Sequence, residues 1–430
     1  MNPQKTTAST IAEGEPDAYR GMIVVIPTRN RSDFVKNALR SLAAQSCKDR
    51  LHVFLSDNST EPEEIERNRQ TAASTCGLRI TYLRPPNPMP MTEHWEWAAK
   101  QALTSGQENH VLFLTDRMLL KPGGLDRVEA VARVDVGRII SFQHERIDDY
   151  IEPVVYERCI ASGECLVIPA PRLLALAARM MFHPSMPRML NCLVPRALML
   201  TLKERHGKFF DSISPDFNFC FRAMAVVDCF VFIDDPILVH YGISRSNGAG
   251  VSRGVHSRDT KDFISNLPAS RGFFPCAPIP GLATVANAIA HEYNAVRAET
   301  GFQSFPMLDI DAYLAANEKE VRGFVDPRAR EDALLLLASH PSLRGVRISL
   351  FRVLVARAKT WIYRTLTRKC SLIFPSTWHA IDHLFRLHKG VSFLDRLRIV
   401  PYRFFLRRLM HCTAWAKPAR PSTHHRISSS

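Results

Sequence analysis

The sequence holds no Cys-x-x-Cys pair, and none of its ten cysteines has zinc-ligand spacing with a histidine. A zinc module is thereby excluded, and the thiols are expected to be reduced and mostly buried, as in a cytosolic protein. No uncharged apolar run approaches the ~18 residues that a membrane-spanning helix needs. The opening stretch, "MNPQKTTASTIAEGEPDAYRG", has no apolar core, so residues 1–20 are expected to form a disordered lead-in, not a secretory signal. Acidic residues are scarce at the other end. Residues 341–430 carry 18 Lys plus Arg against only Asp382 and Asp395, a net of +16, whereas the first 340 residues net −2. A near-neutral body and a strongly basic tail are implied. No internal repeat is visible.

What is present begins with an apolar run. Residues 22–26 form a buried strand that stops at Pro27, and apolar residues at 34, 35, 38, 39 and 42 give an amphipathic helix with Ser32 as its N-cap. "LHVFLSDNS", "LRITYLR" and "HVLFLTD" read as further strands, separated by the helical stretches "EEIERNRQTAAST" and "TEHWEWAAKQALTSG". Strands that are apolar throughout and alternate with helices indicate a parallel sheet covered on both faces, a doubly wound nucleotide-binding architecture over residues 20–125. Beyond it the spacing predicts helices in 170–181, 195–210 and 214–227. It also predicts a strand over 138–150 and another over 229–242 with a turn at Asp235-Pro236. Residues 242–254, rich in glycine and serine, read as a flexible lid.

In open parallel sheets ligands bind beyond the carboxyl ends of the strands. Those ends deliver Pro27, Thr28, Arg29 and Asn30 from the first strand, Asp57 and Asn58 from the second, and Asp116 and Arg117 from the fourth. Aspartates so placed can accept hydrogen bonds from a base or ribose, and arginines can pair with a diphosphate. Two such aspartates at corresponding strand ends point to a ligand more than to simple helix capping. His144, Glu145, Asp148 and Asp149 read as a solvated loop, with acceptor contacts as the alternative. Trp95 and Trp97 read as helix packing.

The run "IVVIPTRNRSDFVKNALRSLAAQS", then "VFLSDNS", then "HVLFLTD" followed by "KPG", resembles the family 2 inverting glycosyltransferases of the GT-A fold over residues 21–245. The resemblance implies a GT-A domain over 21–255; beyond it, residue spacing and composition predict a helical extension over 256–340, a basic amphipathic helical region over 341–415 and a disordered tail over 416–430. It implies that Thr28, Arg29, Asn30 and Asp57 hold the nucleotide of a nucleotide-diphosphate sugar. It also implies that the stretch "SPDFNFCFR" supplies the general base, Asp216, which deprotonates the acceptor hydroxyl. His240 and Arg245, after the strand that follows, fall where the family contacts metal or diphosphate. The family's Asn-Trp pair is His94-Trp95 here.

The family normally ends its fourth strand in Asp-x-Asp, which holds a divalent cation, Mn or Mg. Here the third position is Met118, no ligand for a hard cation. Either Asp116, helped by His240, keeps a residual metal, or Arg117 supplies the positive charge itself; retention of Asp116 favours the metal. A sugar nucleotidyltransferase is the first alternative, opposed by the absence of glycines from "PTRNRSDF". A non-catalytic scaffold that lost its metal site is the second. Residues 343–410 interleave Arg and Lys with large apolar residues at helical spacing, which suits an anionic membrane surface, with a solvated basic subdomain packing its apolar face on the catalytic domain as the alternative. No nucleic-acid motif occurs. The expected setting is cytoplasmic or peripheral on the inner face of the cytoplasmic membrane, acting on a glycan or lipid-linked acceptor in envelope polysaccharide synthesis.

Overall fold

In a computed structural model of the chain, the described residues are 19–150, 152–254, 261, 274–301, 305–340, 370–374 and 376–386. Residues 1–18 of the expected lead-in, most of the basic region and the whole of 416–430 lie outside them.

The first strand shows why the opening run is apolar at every position. In β1 (Met22–Thr28), Ile23 and Val25 enter the hydrophobic cluster on one face of the sheet, and Met22, Val24 and Ile26 enter the cluster on the other. All five are wholly buried, each contributing roughly 1.5–3 kcal/mol. The strand continues one residue past Pro27, where a stop was expected. Pro27 lies opposite Ser56 of the second strand, and pairing with the fourth has already ended at Val25 and Phe113. The missing N–H therefore interrupts no ladder.

β1 is central in a parallel set with β2 (Leu51–Asp57), β3 (Arg79–Leu83) and β4 (His110–Phe113), in the order β3-β2-β1-β4. The helices α1 (Ser32–Ala43), α2 (Pro62–Ser74) and α3 (Met91–Ser105) make the connections. Ser32 is the first helical residue, not the cap. Arg31 holds the cap position without a side-chain bond, and Glu64 of α2 accepts from the Ser32 N–H at 2.7 Å.

Beyond β4 the sheet turns antiparallel through β9 (Cys192–Pro195), which lies between β4 and β6 (Ile140–Asp148); β6 is followed by β7 (Val154–Arg158). The twelve-residue β10 (Cys229–His240) runs parallel to β6 and antiparallel to β5 (Met118–Leu120) and β8 (Cys165–Pro169). The turn expected at Asp235-Pro236 is a bulge within a continuous strand, with register shifts on either side of Pro236. A Rossmann-like parallel half joined to a mixed half is the GT-A-type α/β architecture expected from the sequence.

Helices cover both faces: α1 and α4 (Gly124–Val134) on one, α3, α5 (Ala170–Ala177), α6 (Arg196–His206) and α7 (Pro215–Val226) on the other. The extension joins the second face. Tyr293 of α9 (Val285–Glu299), Tyr313 of α10 (Ile310–Arg322) and Ala333 of α11 (Pro327–Ala338) share one core with Val25 and Phe113. The basic region is not wholly helical. β11 (Cys370–Phe374) pairs with β7, and α12 (Thr377–Arg386) sets Ile381 and Leu384 in a cluster with Phe34, Tyr156 and Tyr241. No helix among the described residues is long and apolar enough to cross a membrane.

Candidate functional site

The strand ends open into a cavity of about 1320 Å³, lined by Pro27, Thr28, Arg29, Asn30, Asn58, Asp116, Arg117, Asp216 and Arg245. Nine of the eleven residues singled out from the sequence thus meet in one place. Asp57 and His240 do not line it.

After β1 the chain turns at Asn30, whose φ of +53° lies in the left-handed region that asparagine tolerates. Its side chain is occupied by the protein: Oδ1 accepts from the N–H groups of Thr60 and Glu61, and Nδ2 donates to Thr60 Oγ1. Asp57 is likewise engaged. It is wholly buried, accepting from Ser59 N at 2.9 Å and from Tyr82 Oη at 2.7 Å. Asn58, which does face the cavity, bonds both ways with the Met89 backbone. These three residues brace the walls.

β4 stops at Phe113, and Thr115 to Arg117 form a turn closed by Met118 N donating to Thr115 O at 3.1 Å. Met118 starts β5 directly opposite His240, is 1% exposed, and packs in the core. The methionine stands where an acid was expected because its side chain points into the core. Asp116, 2% exposed, accepts from Thr28 Oγ1 at 2.8 Å, and its other oxygen lies 3.7 Å from Arg31 Nη1. Arg117 donates from Nη1 to Gly242 O at 3.3 Å; its Nε and the neighbouring Thr115 hydroxyl are buried with no partner. Burial, then the nearby Arg31, lower the Arg117 pKa to about 10, which leaves it charged at neutral pH.

Arg245 spans from Asn30 O, at 3.2 Å, to the face of Phe34, 5.1 Å from its centroid. Its own carbonyl accepts from Arg31. The stretch read as a lid forms a single turn over Ile243–Arg245 and then α8 (Asn247–Arg253), which together form cavity wall. Gly242 starts this wall at φ +59°, and a Cβ there would come 2.7 Å from Phe34 Cζ. Arg29, Arg31, Arg117 and Arg245 therefore converge on the strand-end pole of the cavity, against Asp116 and Glu61.

This donor set does not fit a hard divalent cation. The single carboxylate at the turn is shared between a hydroxyl and a guanidinium, and beside it the orphaned Arg117 Nε–H can only donate, which calls for an anion. His240 packs its ring 4.7 Å from that of His144. Burial, together with His144, Arg188, Arg117 and Arg146, pushes its pKa well below the usual histidine range. A different trio, Cys47, Asp126 and Glu129, brings possible ligand atoms within 4.8 Å of one another. It lies away from the cavity, Glu129 is bound by Arg50 and Arg133, and burial with Asp126 and Glu129 pushes the Cys47 thiol up to about 12. Protonated sulfur is a poor ligand.

Asp216 sits in the first turn of α7 and lines the cavity half-buried. Burial raises its pKa, with Arg188 opposing. The cavity continues past it along α9, where His291, Ile289 and Ala288 form the wall. Sequence reasoning missed Arg31, one residue beyond the motif it singled out. It also missed His291 and Glu292, whose signal is a polar pair amid the buried Ala288, Ile289, Tyr293 and Val296.

On α3, Trp95 packs as expected against Phe113 and Phe210 and Trp97 packs partly buried against the same core, and both also line the cavity. His94 bonds Ser56 Oγ at 2.8 Å, and burial with the nearby Arg29 lowers its pKa to about 3, so it is neutral. The polar cluster after residue 143 is not a solvated loop. Glu145 is buried in β6 with Lys121, Tyr156 Oη and Cys159 N as partners, and Asp149 holds Ser244.

No family model and no curated protein matches the chain. Solved structures do. The chain is similar to S. aureus TarS 1-349 in complex with UDP-GlcNAc, at 13% identity over 91% of this chain and 92% of that one, with a TM-score of 0.41. It is also similar to S. aureus TarS 1-349 in complex with UDP, at 12% identity over 74% and 89%, with a TM-score of 0.40.

Proposed function

We propose that the chain is an inverting glycosyltransferase that uses a nucleotide-diphosphate sugar. The observation that carries this reading is the grouping of Arg29, Arg31, Arg117 and Arg245 with orphaned donors at one pole of a cavity whose wall also holds Asp216. Guanidinium groups match phosphate oxygens in geometry and charge. At about 1320 Å³ the cavity exceeds a usual single-ligand site of roughly 300–1,000 Å³, leaving room for donor and acceptor together.

The chemistry follows from the placement. The acceptor oxygen attacks the anomeric carbon from the face opposite the diphosphate, and its proton passes to the Asp216 carboxylate. A raised carboxyl pKa brings that base closer to working pH. As the C–O bond to the diphosphate breaks, charge accumulates on the leaving group and is received by the arginines, with no metal required. Asp57 acts indirectly, through Ser59 and Tyr82, by setting the wall against which the nucleotide lies. Membership of family 2, a glycan or lipid-linked acceptor in the cell envelope, and membrane contact through residues 343–410 belong to the same proposal.

The test is turnover of nucleotide sugars by wild type and Asp216→Asn, with manganese and with chelator. Wild type is expected to turn over in chelator. Asp216→Asn is expected to lose ~10²–10⁴ in rate, the usual contribution of a general base. Absence of binding and turnover under every metal condition would sink the transferase reading.

A further inference from the structure

We infer that Glu292, on the extension helix α9, is a positioning residue that holds Asp216 in place for proton abstraction, an inference that rests on the transferase reading above.

The segment before α7 is built without a cap of its own. Ser214 occupies the cap position and makes no side-chain bond to the helix. A group from another part of the chain takes over: Glu292 Oε1 accepts from Ile213 N at 3.1 Å and Ser214 N at 2.8 Å, and Oε2 accepts from Asn218 Nδ2 at 3.0 Å. Glu292 and Asn218 are buried, at 0% and 1% exposure. Asp216 lies between these anchored points, two residues after Ser214 and two before Asn218. Moving Glu292 moves both ends of the turn that presents the base.

The neighbouring residue is also committed. Ser212 has φ +66°, a strained conformation for a serine, costing roughly 1–3 kcal/mol and kept only where the surroundings enforce it. Three contacts do so: Thr92 Oγ1 donates to Ser212 O at 2.8 Å, Asp211 Oδ1 accepts from Ser212 N at 2.9 Å, and His291 Nε2 meets Ser212 Oγ at 2.9 Å. A serine bonded to a histidine suggests a nucleophile and base, but the network forbids it. Cys276 N donates to His291 Nδ1 at 3.0 Å, so the ring proton resides on Nε2 and is given to the serine. That imidazole cannot take the serine proton, and the pair serves as a clamp. From α3, Glu96 Oε2 accepts from Phe209 N and Phe210 N, fixing the chain just upstream. The base is therefore set from two sides, by α3 and by a helix beyond the expected transferase domain.

The experiment compares wild type, Glu292→Ala, Glu292→Gln, Glu292→Asp and Asp216→Asn. It follows amide hydrogen exchange of Ile213 and Ser214, and the release of UDP from UDP-glucose and UDP-N-acetylglucosamine. UDP affinity by calorimetry, unchanged in every variant, reports an intact fold. Glu292→Ala is expected to speed exchange of both amides on the order of tenfold or more. It should lower kcat on the order of tenfold while leaving the donor KM unchanged. Glu292→Gln retains an acceptor for both N–H groups, and its amide can meet the Asn218 oxygen, which is buried without a partner. It is expected to restore both readouts. Glu292→Asp withdraws the oxygens by one methylene and is expected to lower kcat as alanine does, which covers the case in which Glu292→Ala does not fold. Protected amides in Glu292→Ala, or wild-type kcat in it while Asp216→Asn is inactive, would overturn the role given to Glu292. An Asp216→Asn enzyme as active as wild type would instead remove the base, and the positioning role with it.

Discussion

Glutamine at position 292 removes a group whose ionisation opposes folding, and the size of the effect follows from its burial. Glu292 is wholly inside the protein, and burial raises its pKa from 4.5 to about 8, against the opposing hydrogen bonds from Ser214, Asn218, Ser212 and Ile213. In the unfolded chain the proton leaves near 4.5; in the folded one it stays until about 8. Between these values the native state holds one proton more than the unfolded state, so stability falls as pH rises, by about 1.4 kcal/mol per unit. The contribution is fully present below the unfolded pKa and is lost as pH climbs through about 8. From pH 6 to pH 8 the loss amounts to roughly 2–3 kcal/mol. Urea unfolding of wild type and Glu292→Gln at pH 6, 7 and 8, followed by circular dichroism, isolates this slope, because every other titrating group is common to both proteins. Wild type should lose stability relative to the variant across the series. Parallel pH dependence in the two proteins would refute the buried-acid argument.

Three further outcomes follow from the site. Arg31→Ala should weaken UDP binding by ~10- to 100-fold, the loss of one charge-assisted contact of about 1.5–3 kcal/mol, equally in chelator and in manganese; rescue by manganese would mean that the turn does hold a cation. Gly242→Ala should lower the melting temperature measured by calorimetry, at a cost of ~1–2 kcal/mol, because the new Cβ meets a positive φ and the Phe34 ring that carries Arg245. An unchanged melting temperature would show that Phe34 yields freely. Tyr82→Phe should cost ~1–3 kcal/mol in chemical denaturation, since it leaves the buried Asp57 carboxylate without its hydroxyl donor; a neutral effect would show that water replaces it.

The parallel half of the sheet was readable because both of its faces are covered. Met22 to Ile26 feed two clusters in alternation, and that requirement writes an uninterrupted apolar run into the sequence. Arg29, Asp116 and Asp216 were likewise readable, being polar residues at strand ends or a helix start. What could not be read depends on pairing between distant segments. β5 is three residues long and owes its existence to β10, so Met118 read as a missing ligand when it is a core residue. Asp57 read as a nucleotide contact, and its commitment to Tyr82 is a tertiary fact. Pro236 read as a turn because a bulge leaves no local signal distinct from one. Glu145 read as solvated because the lysine and tyrosine that bury it lie at positions 121 and 156. Glu292 did leave a trace, an acid on the buried face of a helix, but its partners lie about 75 residues away, at 213, 214 and 218.

The central claim is that an arginine-lined pole, without a divalent cation, receives the diphosphate of a nucleotide sugar. Isothermal calorimetry with UDP, UMP and uridine in the presence of chelator tests it most directly, repeated with GDP and its congeners should the uridine series be silent. The diphosphate is expected to bind on the order of tenfold or more tighter than the monophosphate, with its affinity falling as salt rises and unchanged by manganese. Binding that appears only when manganese is added, or equal affinity for diphosphate and nucleoside, would contradict it.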